Sequence, residues 1–100
     1  MPLTLYFLSS FDRSLKKLDQ QQRVTVKLIL SGLSIYFLSD CDLAEIQKTV
    51  PGFFYKQLRK PFYEAGIEGK LRVIIRREQS DCFVMFVGNH DEVKRFLTGH

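Results

Sequence analysis

One hundred residues make one domain, residues 1–100, with room for a single hydrophobic core and not for two. Hydrophobic residues at 45% and charged residues at 26% are the composition of an ordinary soluble globular chain, and two cysteines, Cys41 and Cys82, give no metal-ligand spacing. The net charge of +4 is concentrated between Lys56 and Arg77, where seven basic residues face two acids, and such a concentration suggests a polyanionic partner as much as a solvated basic surface.

The chain opens without the basic start and small-residue cleavage site of a signal peptide, so a cytoplasmic location is expected. Leu3 to Leu8 (LTLYFL) is β-rich and reads as a short buried strand. Ser10 then suits a helix N-cap, with Phe11, Leu15 and Leu18 at helical spacing along the inner face. Asp19 can cap a second helix, whose inner face Val24 and Leu28 continue, with Val26 and Ile29 as further candidates for that same face. Gly32 can loosen this helix, and Ile35 to Leu38 fits helix or strand. The longest apolar stretch, Leu28 to Leu38, is broken by Ser31, Gly32 and Ser34 and falls short of the ~20 apolar residues of a membrane span.

Asp40 is placed to cap a short helix over Leu43 to Lys48, which Pro51 and Gly52 must stop. From Phe53 the chain reads as extended segments: Phe53 to Leu58, Phe62 to Ile67, Leu71 to Arg77 and Cys82 to Val87, separated by turn residues. Asp91 to Leu97 closes the chain as a helix with acids first and bases last, matching the helix dipole. The whole predicts an α+β fold: a small, mainly antiparallel sheet with an N-terminal strand, a helical hairpin packed on one face and a short C-terminal helix.

Side chains alternate along a strand, so Arg72, Ile74 and Arg76 share one face while Leu71, Val73 and Ile75 face the helices. Two guanidiniums on one rigid strand can clamp phosphate, because each offers a fixed fork of donors; they can equally just solubilise the sheet. His90 ends the Cys82 to Val87 strand, and an imidazole gives or takes a proton near neutrality. Asp91 and Glu92 either hold an imidazolium or serve as first-turn residues of the last helix. Tyr55 and Tyr63 flank the basic segment and can stack on a base or sit half-buried in strands.

These segments together resemble the RelE/ParE superfamily of bacterial and archaeal toxins over roughly residues 3 to 97. Phe62 to Ile67 (FYEAGI) is similar to the family's "lyElri" strand, Gly69 to Ile75 (GKLRVII) to its "gyRvly" strand, and Phe86 to Val93 (FVGNHDEV) to its "vGnHdevy" tail. Ser10 to Leu18 is similar to its opening helix. Tyr63 and Ala65 stand where some members carry lysines, and Lys94 stands near the usual aromatic of the tail.

The resemblance implies the toxin of a type II toxin–antitoxin pair, with a cognate antitoxin as partner. RelE-like members cut messenger RNA, most of them on the ribosome; ParE-like members poison DNA gyrase; a degenerate scaffold is a third outcome. Arg72 matches the arginine that holds the scissile phosphate, Arg76 assists it, and His90 matches the histidine that acts as general acid. Lys56, Arg59, Lys60, Tyr63, Arg77 and Lys94 are the candidates for gripping RNA, with Lys56, Lys60 or Tyr63 as general base. Attack by the ribose 2′-OH on its own phosphate asks for no metal or other cofactor.

Overall fold

The structure, a computed structural model, describes residues 4–38 and 42–99. Along the chain run β1 (Thr4–Phe7), α1 (Ser9–Lys16), α2 (Gln20–Leu38), α3 (Leu43–Thr49), β2 (Phe53–Gln57), β3 (Phe62–Ile67), β4 (Arg72–Glu78), β5 (Asp81–Gly88) and α4 (His90–Thr98). The five strands lie in the order β1-β5-β4-β3-β2. β2 to β5 form an antiparallel meander, and β1 adds to β5 in parallel at the edge. This is the α+β arrangement expected.

β1 is an edge strand, not a buried one: Tyr6 and Phe7 are exposed, and Leu5 is half-buried against the core. With β5 as its sole strand neighbour, it has only one side to cover. α1 begins at Ser9, with Leu8 in the cap position and no side-chain cap, so Ser10 is not the N-cap. β1 stops beside Val84, and beyond that point the edge of β5 has no strand partner among the described residues. Ser10 Oγ donates to the Met85 carbonyl at 2.6 Å, and Ser14 Oγ accepts from the Val87 N–H at 3.1 Å. Two serines of α1 thus complete the edge, sparing backbone groups the cost of burial without a partner.

Asp19 caps α2 as expected: its Oδ1 accepts from the Gln22 N–H at 2.8 Å, and Gln22 Oε1 accepts from the Asp19 N–H at 3.0 Å. The helix runs unbroken through Gly32 to Leu38, which settles Ile35 to Leu38 as helical. Its inner face is Val26, Ile29, Gly32 and Leu33, while Val24 and Leu28 face outward. Gly32 fixes this rotation, because a Cβ there would stand 2.7 Å from two carbons of the Phe53 ring. α3 begins at Leu43 with Asp42 as its cap. Asp40, predicted for that role, lies outside the described residues, as do Cys41 and His100.

The core lies between the three preceding helices and the sheet, with Phe11, Val26, Ile29, Leu33 and Ile46 against Phe53, Ala65, Val73, Ile75, Cys82, Val84 and Val87. Ile74 points away from this cluster yet is fully buried. Its neighbour across the ladder, Phe86, stacks on Phe96 of α4 with ring centroids 4.5 Å apart. α4 therefore covers part of the sheet's second face. A register jump between Ile74 and Ile75 leaves Met85 as an extra residue on β5, a bulge just before the strand hands over to α4. No described helix is long and apolar enough to cross a membrane.

Candidate functional site

The second face of the sheet carries the residues with chemistry. Arg72 stands opposite Gly66 on one side and Gly88 on the other; Arg76 stands opposite Phe62 and Phe83. Both arginines share the face of Ile74, as strand alternation predicts. Four residues of strand separate their backbones by roughly 13 Å.

Arg72 is held on two sides. Its Nη1 donates to Glu64 Oε2 at 3.1 Å, and its guanidinium lies 5.2 Å from the centre of the Phe54 ring. Glu64 is almost wholly buried and is shared with Lys56, whose Nζ is 3.6 Å from Oε1. A buried carboxylate needs such partners, since desolvation makes an isolated charge costly. Gly66 keeps the space beside Arg72 open: a Cβ there would come 2.6 Å from the Leu71 carbonyl and 3.1 Å from Arg72 Cα.

His90 is the first residue of α4, two positions beyond Gly88, the ladder partner of Arg72. It is exposed. The turn before it is fixed by a capping box: Asn89 Oδ1 accepts from the Glu92 N–H at 2.9 Å, and Glu92 Oε1 accepts from the Asn89 N–H at 2.8 Å. Glu92 is thus a first-turn residue engaged with backbone.

Arg76 lies over the Phe83 ring at 4.7 Å. Its Nε is 3.5 Å from Glu78 Oε1 and, although buried, has no hydrogen-bond partner among the described residues. Arg59 and Lys94, far apart in sequence, line one hollow of about 360 Å³ with Leu58, Phe62 and Leu97. Lys60 is exposed in the loop between β2 and β3.

Tyr63 and Arg77 sit on the helix-facing side, apart from Arg72 and Arg76. Arg77 Nη1 donates to the Tyr55 hydroxyl at 3.2 Å and lies over the rings of Phe37 and Tyr63 at 5.1 and 5.5 Å. Burial pushes the Tyr55 phenol up to about 12, with Arg77 opposing. Burial likewise pushes the Cys82 thiol up to about 11. Among the described residues no group of three His, Cys, Asp or Glu could hold a metal ion. Glu64 is the residue the sequence did not single out: its role depends on the register of β3 against β4, which alternation alone does not fix.

The fold has solved counterparts. RelE in the RelB–RelE antitoxin–toxin complex of Methanococcus jannaschii superposes with a TM-score of 0.57 at 16% identity, covering 90% of this chain and 95% of that one. An arginine double variant of E. coli RelE in the free state gives 0.54 at 18% identity, covering 97% and 93%. A copper-bound variant of a Helicobacter pylori toxin gives 0.52 at 22% identity, covering 91% and 98%. No family model and no curated protein matches the sequence. The chain has the RelE-like fold.

Proposed function

We propose that this chain is the toxin of a type II toxin–antitoxin pair and that it cuts messenger RNA by transesterification, on the ribosome, so halting translation. The observation that carries this reading is the placement of Arg72. It is braced by Glu64 and Phe54, in register with Gly88, at the strand end that leads directly into the exposed His90. In this reading the ribose 2′-OH attacks the adjacent phosphate. Arg72 stabilises the charge growing on the phosphate oxygens, a contribution of ~3–4 kcal/mol for a preorganised donor. His90 protonates the departing 5′ oxygen, a role worth roughly 10²–10⁴-fold. Arg76 holds a neighbouring phosphate. Of the candidates for general base, Lys56 stands on the face of Arg72 and Tyr63 on the opposite one.

An antitoxin partner is supported by α2. Val24, Leu28, Ile35 and Leu38 fall on one stripe at about 100° per residue, and all are exposed, Leu38 by 74%. Ser31 interrupts the line, and exposed apolar residues aligned along one helix face are the kind of surface that another chain covers.

A second reading also has an observation in its favour. Glu64 offsets much of the charge of Arg72, and the His90 imidazole has no hydrogen bond or ion pair with a described residue to orient it. Both suit a protein that acts by binding alone, as a gyrase inhibitor or an antitoxin-binding scaffold. Induced expression with labelled amino acids and labelled thymidine separates the three. Prompt loss of protein synthesis supports the ribonuclease, replication arrest with DNA breaks the gyrase inhibitor, and unimpaired growth the scaffold.

A further inference from the structure

We propose that the cleft between α1 and α4 is a second phosphodiester-binding site, which takes single-stranded RNA extending past the Arg72–His90 end of the sheet. The choice of RNA as ligand rests on the ribonuclease reading; the cleft itself rests on its own geometry. It encloses about 530 Å³, within the range of ligand-binding clefts. Arg13, Lys17 and Gln22 line it from the helical hairpin and Arg95 from α4, with the stacked rings of Phe86 and Phe96 between them.

Three features point to a phosphate-bearing strand. Arg13, Lys17 and Arg95 are exposed and none forms an ion pair with a described carboxylate. Their one acidic neighbour in the cleft, Glu92, is already held by the Asn89 N–H at 2.8 Å. Paired lysine and arginine contacts to phosphates, beside aromatic rings on which a base can stack, are how single strands are gripped without sequence preference.

The cleft and the first site are neighbours along β5. Val87 and Asn89 line it, and the residue between them, Gly88, is the ladder partner of Arg72. In this proposal a strand held at Arg72 and His90 runs past the α4 N-terminus into the cleft. An acidic polypeptide would satisfy the cations and leave the aromatic floor unused.

The test is anisotropy of a labelled 2′-O-methyl RNA oligonucleotide, whose nucleophile is blocked, against wild type and Arg13→Ala/Lys17→Ala/Arg95→Ala over a range of salt. The variant is expected to keep its melting temperature and lose at least ~10-fold in affinity at low salt. The slope of log K against log salt should shrink by about 2, the value for three phosphate contacts on a single strand. Unchanged affinity and slope overturn the proposal. So does wild type that binds polyglutamate as tightly as RNA, or that binds no RNA at low salt. Cleavage of unmodified RNA is measured in parallel. Cleft-dependent binding without cleavage sinks the nuclease reading and spares the cleft; cleavage with cleft-independent binding does the reverse.

Discussion

Arg72 answers to two partners, a carboxylate that is almost wholly buried and the phosphate it is proposed to hold. The first makes it structural. Arg72→Ala would leave Glu64 with Lys56 alone, 3.6 Å away and itself half-exposed, so we expect a loss of about 3 kcal/mol in urea unfolding, as for a broken buried pair. Arg72→Ala/Glu64→Leu should recover most of that loss, because no charge is then buried without a partner. If Arg72→Ala proves as stable as wild type, the pair is not the brace described. Arg72→Lys keeps a cation beside Glu64 and removes the fork, which makes it the variant for judging chemistry. His90→Ala, at an exposed position, should stay within about 0.5 kcal/mol of wild type by the same measurement, so any loss of activity it shows is chemical. Alternation was enough to place Arg72 and Arg76 on one face. The same rule sends Arg77 and Tyr63 to the other, where they join Tyr55 and Phe37 in an aromatic knot, and the grouping of all the basic residues as one surface overlooked it.

Among the elements, the meander was the most legible because short runs rich in β-branched and aromatic residues are separated by turn residues. α2 was the least. The helix is apolar on two opposite stripes, Val24–Leu28–Ile35 and Val26–Ile29–Leu33, and periodicity cannot say which is inside. The contact of Gly32 with Phe53 decides it, and that contact exists only once the sheet is formed. The start of α1 was misplaced for a related reason: Ser10 looked like a cap, but the unpartnered edge of β5 claims its hydroxyl. Ser14 makes the same kind of suture and is buried. Ser14→Ala would leave the Val87 N–H without its acceptor, and a loss of about 1–3 kcal/mol is expected. Hydrogen exchange at Val87 should speed up with it; an unchanged exchange rate would mean that α1 does not close the edge. At α4, Asn89→Ala should cost about 1 kcal/mol, read as loss of helix signal ahead of global melting.

For the molecule as a whole, a buried thiol and a half-buried phenol are expected to weaken stability at alkaline pH. The Cys82 thiol, ordinarily near 9.0, is raised to about 11, and the Tyr55 phenol, ordinarily near 10.0, is raised to about 12, both chiefly by burial. Each releases its proton more readily unfolded than folded. Their contribution is therefore intact below pH 9 and is lost as pH climbs from about 9 to 12. Urea midpoints should fall steeply above pH 9, and Cys82→Ala with Tyr55→Phe should flatten that fall while lowering stability at neutral pH. In a Cys41→Ser background, Cys82 should react with a thiol reagent only on unfolding; rapid labelling of the native protein would contradict its burial.

Arg72 and His90 are proposed to serve one phosphodiester. The most direct measurement is single-turnover cleavage of ribosome-bound messenger RNA by wild type, Arg72→Lys and His90→Ala, with the product ends identified. We expect wild type to leave 2′,3′-cyclic phosphate ends and each variant to cut at least ~10²-fold more slowly while remaining folded. Cleavage by both variants at the wild-type rate, or intact RNA after treatment with wild type, would contradict it.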